Sequence, residues 1–428
     1  MNDVVAVFVF VGAYVLIATE WVHRVVVALA GAGLMLLFRI VDASEAFSSE
    51  AFGIDWNVIA LLFGMMVIVG VMRHTGLFEF LAIWSAKRAK GRPYRVLALL
   101  IVITGVASAL LDNVTTVLLV APVTVLICER LGVPPVPLLM AEAMASNIGG
   151  AATLVGDPPN IIIASEAGLS YIDFLANLGP VVAILLVVYI AMAKWQLRGS
   201  LSYHAERVRE VMSLDEREAL VRGPLLSRSL AVLGVVTAAF LLQEVLGYQP
   251  SVVALLGAGV LLLVAREDPG LYLQEVEWHT LAFFMGLFIM VGALVKVGVI
   301  EDLAEGAVAL IDGNLLLAVV LLVVLSGLLS GVVDNIPYVA TMAPIVARLT
   351  ESIPGDAVVL WWALALGADL GGNATSIGAS ANVVVLGAAE RSGTKIRFTE
   401  WVRTGAPVAA VTLVLSLAYL WLRYFVFD

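Results

Sequence analysis

Residues 147–160 read NIGGAATLVGDPPN, and residues 369–382 read DLGGNATSIGASAN. Each holds a Gly-Gly pair, a lone Gly and a closing Asn at the same spacing. They are the most legible part of a longer repeat, because the window 56–160 aligns without a gap on 278–382, 222 positions further on (278 − 56). Trp56, Gly64, Gly70, Gly76 and Glu79 fall on Trp278, Gly286, Gly292, Gly298 and Glu301. Asp112-Asn113, Pro122, Gly156 and Asn160 fall on Asp334-Asn335, Pro344, Gly378 and Asn382. Duplication of a half-protein in an apolar chain is the pattern of secondary transporters.

Composition identifies the solvent. Of 428 residues, 61% are hydrophobic and 14% charged, and the mean hydropathy is +1.03. A soluble protein of this length has no interior large enough to bury that much apolar surface, so the fold class is an all-α polytopic membrane protein. Ten stretches are expected to cross a bilayer, which takes about 20 mostly apolar residues each: 4–19, 24–40, 56–73, 138–167, 179–197, 229–245, 251–265, 278–295, 358–390 and 406–424. The first lacks a basic leader and reads as a helix rather than a signal peptide. A net charge of −10 without a basic stripe gives no reason to expect nucleic acid. One cysteine, Cys128, excludes an intrachain disulfide and a Cys-only metal site. No metal or cofactor is expected.

Loop charge orients the chain. Arg24, the run from Arg73 through Lys87, Arg88, Lys90, Arg92 and Arg95, the run from Lys194 through Arg198, Arg207, Arg209, Arg217, Arg222 and Arg228, and Arg391, Lys395, Arg397 and Arg403 are expected in the cytoplasm. Asp42, Glu45, Glu50 and Asp55, and Glu301, Asp302 and Glu305, are expected outside. This requires 94–130 and 313–350 to enter and return on one side as re-entrant hairpins, with tips at Asp112-Asn113 and Asp334-Asn335. The expected domains are a first repeat over 1–198, a cytoplasmic linker over 199–228 and a second repeat over 229–428. Each repeat has five crossings and a hairpin, and an odd number of crossings inverts the second copy.

Chemistry is expected where irregular backbone reaches membrane depth, because such backbone is tolerated only when buried in protein or lining a cavity. The hairpin tips qualify, as do the interrupted helices 138–167 and 358–390. Gly149-Gly150, Gly371-Gly372 and Pro158-Pro159 unwind the helices, leaving amide side chains and freed carbonyls as oxygen ligands. Asp112 and Asp334 are natural helix N-caps; within a membrane, carboxylates also mark ion or proton paths. Glu142, one turn from the first break, aligns with Leu364 and stays outside the candidate set. His23, His74, His204 and His279 fall at boundaries or loops and read as interfacial.

No Lys or Arg falls within 105–127, 141–164, 326–346 or 358–389. A multivalent anion is therefore expected to find no fixed positive partner, and a cation, a proton or a neutral solute fits better. The copies differ where Asn147 faces Asp369 and Asp157 faces Ala379.

The blocks LLDNVTTVLLVAPVTVLICERL (110–131), AEAMASNIGGAATLVGDPPNIIIAS (141–165), VEWHTLAFFMGLFIMVGALVKVGVIE (276–301), DNIPYVATMAPIV (334–346) and WWALALGADLGGNATSIGASANVVVLG (361–387) resemble the ArsB/NhaD branch of the ion transporter superfamily, in particular its P protein-like subgroup. The resemblance implies an elevator-type transporter with scaffold and transport domains, often a homodimer. It implies substrate and ion sites at Asp112, Asn113, Thr115, Asn147, Gly149, Asp157 and Asn160, joined by neighbouring Gly150. Opposite them stand Asp334, Asn335, Asp369, Asn373, Ser376 and Asn382, with neighbouring Gly371. Dicarboxylate symporter relatives carry Ser-Asn-Thr at the tips. Here both tips begin with Asp, which favours proton coupling through Asp112 and Asp334.

The resulting expectation is a proton-coupled efflux antiporter for arsenite or antimonite in a bacterial or archaeal cytoplasmic membrane. Sodium/proton antiport, or transport of another small ion or organic anion, is the alternative, and a gated channel is the alternative of another class. No hydrolase or metalloprotease motif points to an enzyme. Without a phosphate-binding loop, any ATP dependence needs a separate ATPase subunit.

Overall fold

The computed structural model describes residues 2–19, 21–49, 51–197, 212–213, 215–221 and 223–427, and every regular element among them is helical. Glu50, Arg198, His204, Arg207, Arg209 and Arg222, with much of the expected linker, lie outside the described residues.

Seven helices have the length and apolarity to cross a membrane, and their burial separates centre from rim. Trp56–Arg73 and Trp278–Lys296 are 72% and 67% buried, against 28% for Asn2–Thr19 and 33% for Tyr171–Gln196. The first two are apolar on every side and form the centre, whereas the others turn much of their apolar surface outward. Each central helix packs on a short helix from the other half, at a glycine. A Cβ on Gly64 would lie 2.7 Å from the Ala254 backbone in helix Pro250–Ala265, and one on Gly286 would lie 2.7 Å from that of Ala28 in helix Arg24–Leu37. Small residues that let backbones touch are the usual means of helix association in lipid.

Two ion pairs give the relative direction of the central helices. Arg73, at the end of the first, pairs with Glu275, just before the start of the second. Lys296, at the end of the second, pairs at 2.5 Å with Glu45, ahead of the first. The two helices therefore run antiparallel.

Around them stand two hairpins and two broken helices. The hairpins comprise Pro93–Leu110 with Asn113–Leu131, and Leu315–Ser330 with Asn335–Ser352. Each return arm contains the repeated proline, Pro122 or Pro344. The broken helices are Val136–Gly150 with Pro158–Ala167, and Val359–Gly371 with Ser380–Arg391.

Several boundaries differ from expectation. The segments after Gly76 and Gly298, read as loops, are the helices Leu77–Arg88 and Val299–Ile311. Both start on a left-handed glycine, with φ of 74° and 84°, a conformation open to glycine because it lacks a Cβ. The stretch expected at 229–245 is a helix over Leu225–Leu241, so it begins inside the expected linker. The C-terminal part of that linker is not loose chain. Glu216–Ala219 forms a short 3-10 turn, Glu216 pairs with Lys87, and the Val221 amide donates to the Thr75 carbonyl at 3.1 Å.

Candidate functional site

The caps come first, because they aim the tips. Asp112 accepts from the Thr115 amide at 2.7 Å and the Thr115 hydroxyl at 2.5 Å, and Asp334 accepts from the Ile336 amide at 3.1 Å. Both aspartates are thus N-caps, satisfying amides that a helix start leaves unpaired. The adjacent Asn113 and Asn335 are turned inward and buried.

The breaks are held open by the same bonds in both halves. Ser108 donates to the Ser146 carbonyl at 2.7 Å and Thr153 to the Ala109 carbonyl at 2.5 Å; Ser330 and Thr375 repeat this on Ala368 and Gly331 at 2.6 and 2.7 Å. Asn160 bridges its break by donating to the carbonyls of Gly150 and Thr153, as Asn382 does to those of Gly372 and Thr375. Gly149 lies so close to the first hairpin that a Cβ there would stand 2.1 Å from the Gly105 carbonyl oxygen; the value for Gly371 against Gly327 is 2.4 Å.

The polar side chains that remain meet in one cluster, where the halves stop being copies. Asp157 accepts from the Asn113 side chain at 2.6 Å and, through both oxygens, from the Asn335 side chain at 3.3 Å. One carboxylate therefore receives both hairpin tips. Asn113 also donates to Asn147 at 3.2 Å, and Asn147 donates across to Asn373 at 3.0 Å and Asn382 at 3.1 Å. Asp369, aligned with Asn147, is fully buried, and neither of its oxygens accepts a well-formed hydrogen bond, the nearest donors being the amides of Asn160 and Asn335, which are spent on other acceptors. The amide oxygens of Asn113 and Asn160 and the amide nitrogen of Asn373 are likewise unpartnered. A buried carboxylate this poorly satisfied costs several kcal/mol, so its charge calls for a proton or a cation.

Not every candidate reaches this cluster. Thr115 is spent on the Asp112 cap, and Ser376 is buried in the second break without bonding to the cluster. Gly149 and Gly371 act through close approach, and Gly150 through close approach and the carbonyl that accepts from Asn160.

Arg24 overturns the expectation that no fixed positive charge lies near the candidate residues. Its Nη1 reaches Asp334 at 3.0 Å and Ser380 at 2.8 Å, and Ser380 donates to Asp334 at 2.7 Å. Scanning only the segments around the candidate residues missed it, because Arg24 is delivered by helix Arg24–Leu37 from far along the chain. The two capping aspartates are consequently not equivalent. A cavity of about 600 Å³ leads to Asp334 past Arg24, Ser380, His23, His279 and Glu277.

A helical bundle with two tips and two breaks converging on buried carboxylates is the architecture of a membrane transporter. Residues 14–367 match CitMHS, described as the citrate transporter family, and the chain belongs to that family. It is 55% identical over 428 residues, covering the whole of both chains, to an uncharacterized transporter of Mycobacterium tuberculosis. It is 33% identical to the P protein of Mus musculus, with 98% of this chain and 60% of that protein covered. Among solved structures, the YdaH transporter of Alcanivorax borkumensis superposes with a TM-score of 0.61 at 16% identity, covering 98% of each chain. MtrF of Neisseria gonorrhoeae, described with a class of antimetabolite efflux pumps, gives a TM-score of 0.65 at 13% identity, covering 100% of this chain and 95% of that one. These two show a shared fold. The protein is a multi-pass membrane transporter.

Proposed function

We propose that the protein is a proton-coupled secondary transporter of a small organic anion in the cytoplasmic membrane, within the ArsB/NhaD branch and oriented by its cationic loops. In this reading the two repeats are inverted, which the antiparallel central helices support. Residues 94–130 and 313–350 are re-entrant hairpins that meet the broken helices at mid-membrane, and they belong to the part that moves against the scaffold of a homodimer. The observation that carries the coupling is Asp157 holding both tip asparagines while Asp369 sits buried with both oxygens unbonded. A proton entering this pair removes a charge that repels an anion, so proton and anion bind together and travel together. Asp112 and Asp334 cap the tips, and Asp334 also meets Arg24, the cation that an anionic solute needs. The family's description as citrate transporters supports the same solute class.

A second reading is exchange of arsenite or antimonite for protons. The uncharged amides of Asn113, Asn147, Asn373 and Asn382 favour it, since a neutral oxyacid competes with a proton there instead of accompanying one.

Flux into proteoliposomes under an imposed pH gradient separates the readings. Labelled citrate should accumulate when the outside is acid, without a sodium requirement, and Asp157→Asn should slow it at least about tenfold. Arsenite accumulation under the opposite gradient, with citrate immobile, would replace the anion reading by the second. Sodium-driven proton movement without either solute, or single-channel currents, would end both.

A further inference from the structure

Two cavities lie at matching places in the two halves, and their walls differ in chemistry. The smaller, about 240 Å³, is lined in part by Asn57, Leu169, Gln249 and Pro250. The larger, about 600 Å³, is the one that reaches Asp334. The offset of 222 places Asn57 on His279 and Leu169 on Arg391. Ahead of the central helices the offset is 226 (250 − 24), visible as VVALAGAG at 26–33 against VVALLGAG at 252–259, and it places Gln249 on His23 and Pro250 on Arg24. All four of these partners line the larger cavity. Ile161 and Ser165 on the smaller wall likewise match Val383 and Gly387 on the larger. The cavities are therefore counterparts, and in the inverted arrangement proposed above they open on opposite faces.

We propose that the larger cavity is an anion-binding vestibule, with Arg24 as its recognition group, and that the counterpart vestibule is neutral, so that the protein binds anions more tightly from one face than from the other. This rests on the anion reading for its role in transport, but not for binding itself.

The geometry at Arg24 suits a carboxylate. Its bonds to Asp334 and Ser380 both use Nη1, leaving the edge formed by Nε and Nη2 free of protein partners among the described residues. That edge is the one that binds a carboxylate through two parallel bonds. The guanidinium carbon lies 5.4 Å from the centre of the Phe283 ring, and 28% of the side chain remains exposed in a group that lines the cavity. The arginines do not leave a large positive excess, because Glu277 and Asp334 line the same wall. Selection comes instead from the free fork, with His23 and His279 adding donors. The smaller cavity is lined by Asn57, Ser165, Gln243, Gln249 and Ser251 without a single charged side chain, and it stops short of the Asp112 tip. A volume of several hundred cubic ångströms holds a small organic acid.

Unequal affinity on the two faces leaves the equilibrium of transport unchanged. What it sets is the concentration at which each face saturates.

The test needs no transport. In a Cys128→Ala background, His279→Cys and Asn57→Cys mark equivalent points on the two walls, and both native residues are exposed. In oriented vesicles of the full chain, an impermeant maleimide should label them from opposite faces. Citrate should slow labelling of the His279→Cys protein at least fivefold relative to chloride at equal ionic strength, and leave the Asn57→Cys protein unaffected. Adding Arg24→Gln should remove the protection, while Arg24→Lys, which keeps the charge but not the fork, should retain part of it and report that the fold survives. Equal protection on both walls, labelling of both from one face, or protection that persists in Arg24→Gln would overturn the proposal. Protection without citrate flux would remove the transport function proposed above and leave the vestibule; flux without protection would do the reverse.

Discussion

The two hairpin tips carry the same Asp-Asn pair and use the aspartate as the same cap, yet only the second is tied to a cation. Asp112 is satisfied within its own hairpin by Thr115, whereas Asp334 reaches Arg24 and Ser380. The same division runs through the whole site. Bonds present in both halves, from Ser108 and Ser330, Thr153 and Thr375, Asn160 and Asn382, all end on backbone carbonyls and hold the breaks in shape. The side chain to side chain bonds that gather at Asp157, Asn147 and Arg24 have no copy in the other half. The repeat builds a frame, and selectivity resides where the copies depart from each other.

The largest effect is expected at Asp157. It accepts both tip amides, and bonds to a charged group are worth about 1.5–3 kcal/mol each. Asp157→Asn keeps one oxygen to accept one of the two, so it should lower transport by roughly ten- to 150-fold, measured as initial flux in proteoliposomes. A variant within twofold of wild type would break the distinction between frame and centre. Gly371→Ala comes next. A Cβ 2.4 Å from a backbone oxygen forces the broken helix off its hairpin, and overpacking of this kind costs about 1–3 kcal/mol or more. Its melting temperature should drop along with that of Gly149→Ala, because this contact belongs to the frame. If only one of the pair is destabilised, the frame is less symmetric than its bonds indicate.

Asp369→Asn should do the opposite of Asp157→Asn in stability. It installs the residue that the first half carries at the same place, Asn147, and removes a buried charge that no well-formed hydrogen bond satisfies. The variant should melt at or above the wild-type temperature, while the pH dependence of its flux flattens. A lower melting temperature would mean that Asp369 has a partner not seen in its bonding. Smaller again is the contrast between the caps. Asp334→Asn removes the carboxylate paired with Arg24 and leaves Glu277 as the remaining counter-charge on that wall, so it should strengthen anion protection in the large vestibule. Asp112→Asn, which keeps an oxygen for the Thr115 amide, should not.

Much of this fold is visible in the sequence because membrane helices declare themselves by length and apolarity. The gap-free repeat pairs the tips and breaks without any structure, and the hairpin and break boundaries at 94–130, 138–167, 313–350 and 358–390 lie close to the observed helices. Leu77–Arg88 and Val299–Ile311 escaped because they are short and carry acidic first turns, which resemble loops. The cluster around Asp157 was legible as a set of residues but not as a bonding pattern. Asn113 and Asn335 converge on one carboxylate only because the halves are folded against each other, and no local spacing encodes that. Arg24 was hidden for the same reason, although the VVALAGAG and VVALLGAG segments, with their different offset, held a signal that would have placed it opposite Pro250.

The smallest effect is expected farthest from the centre, where the chain segment before Leu225 docks on helix Leu77–Arg88. Lys87 holds the Glu216 carboxyl below its ordinary value, chiefly by donating a hydrogen bond to it. A carboxyl with a lowered folded value stabilises the docked form at neutral pH, and that contribution is lost as the pH falls through the lowered value. Both partners are partly exposed, so water and salt screen the pair, and exposed pairs of this kind contribute little. The backbone holds the segment independently. Ala219 lies so close to Gly76 that a Cβ there would stand 1.8 Å from its carbonyl oxygen, and Val221 bonds to Thr75. Lys87→Ala should therefore raise hydrogen exchange at 215–221 only slightly at pH 7, with the difference from wild type closing on acidification, and citrate flux should stay unchanged. A flux loss comparable to that of Asp157→Asn would move part of the function out of the central cluster and into this docked segment.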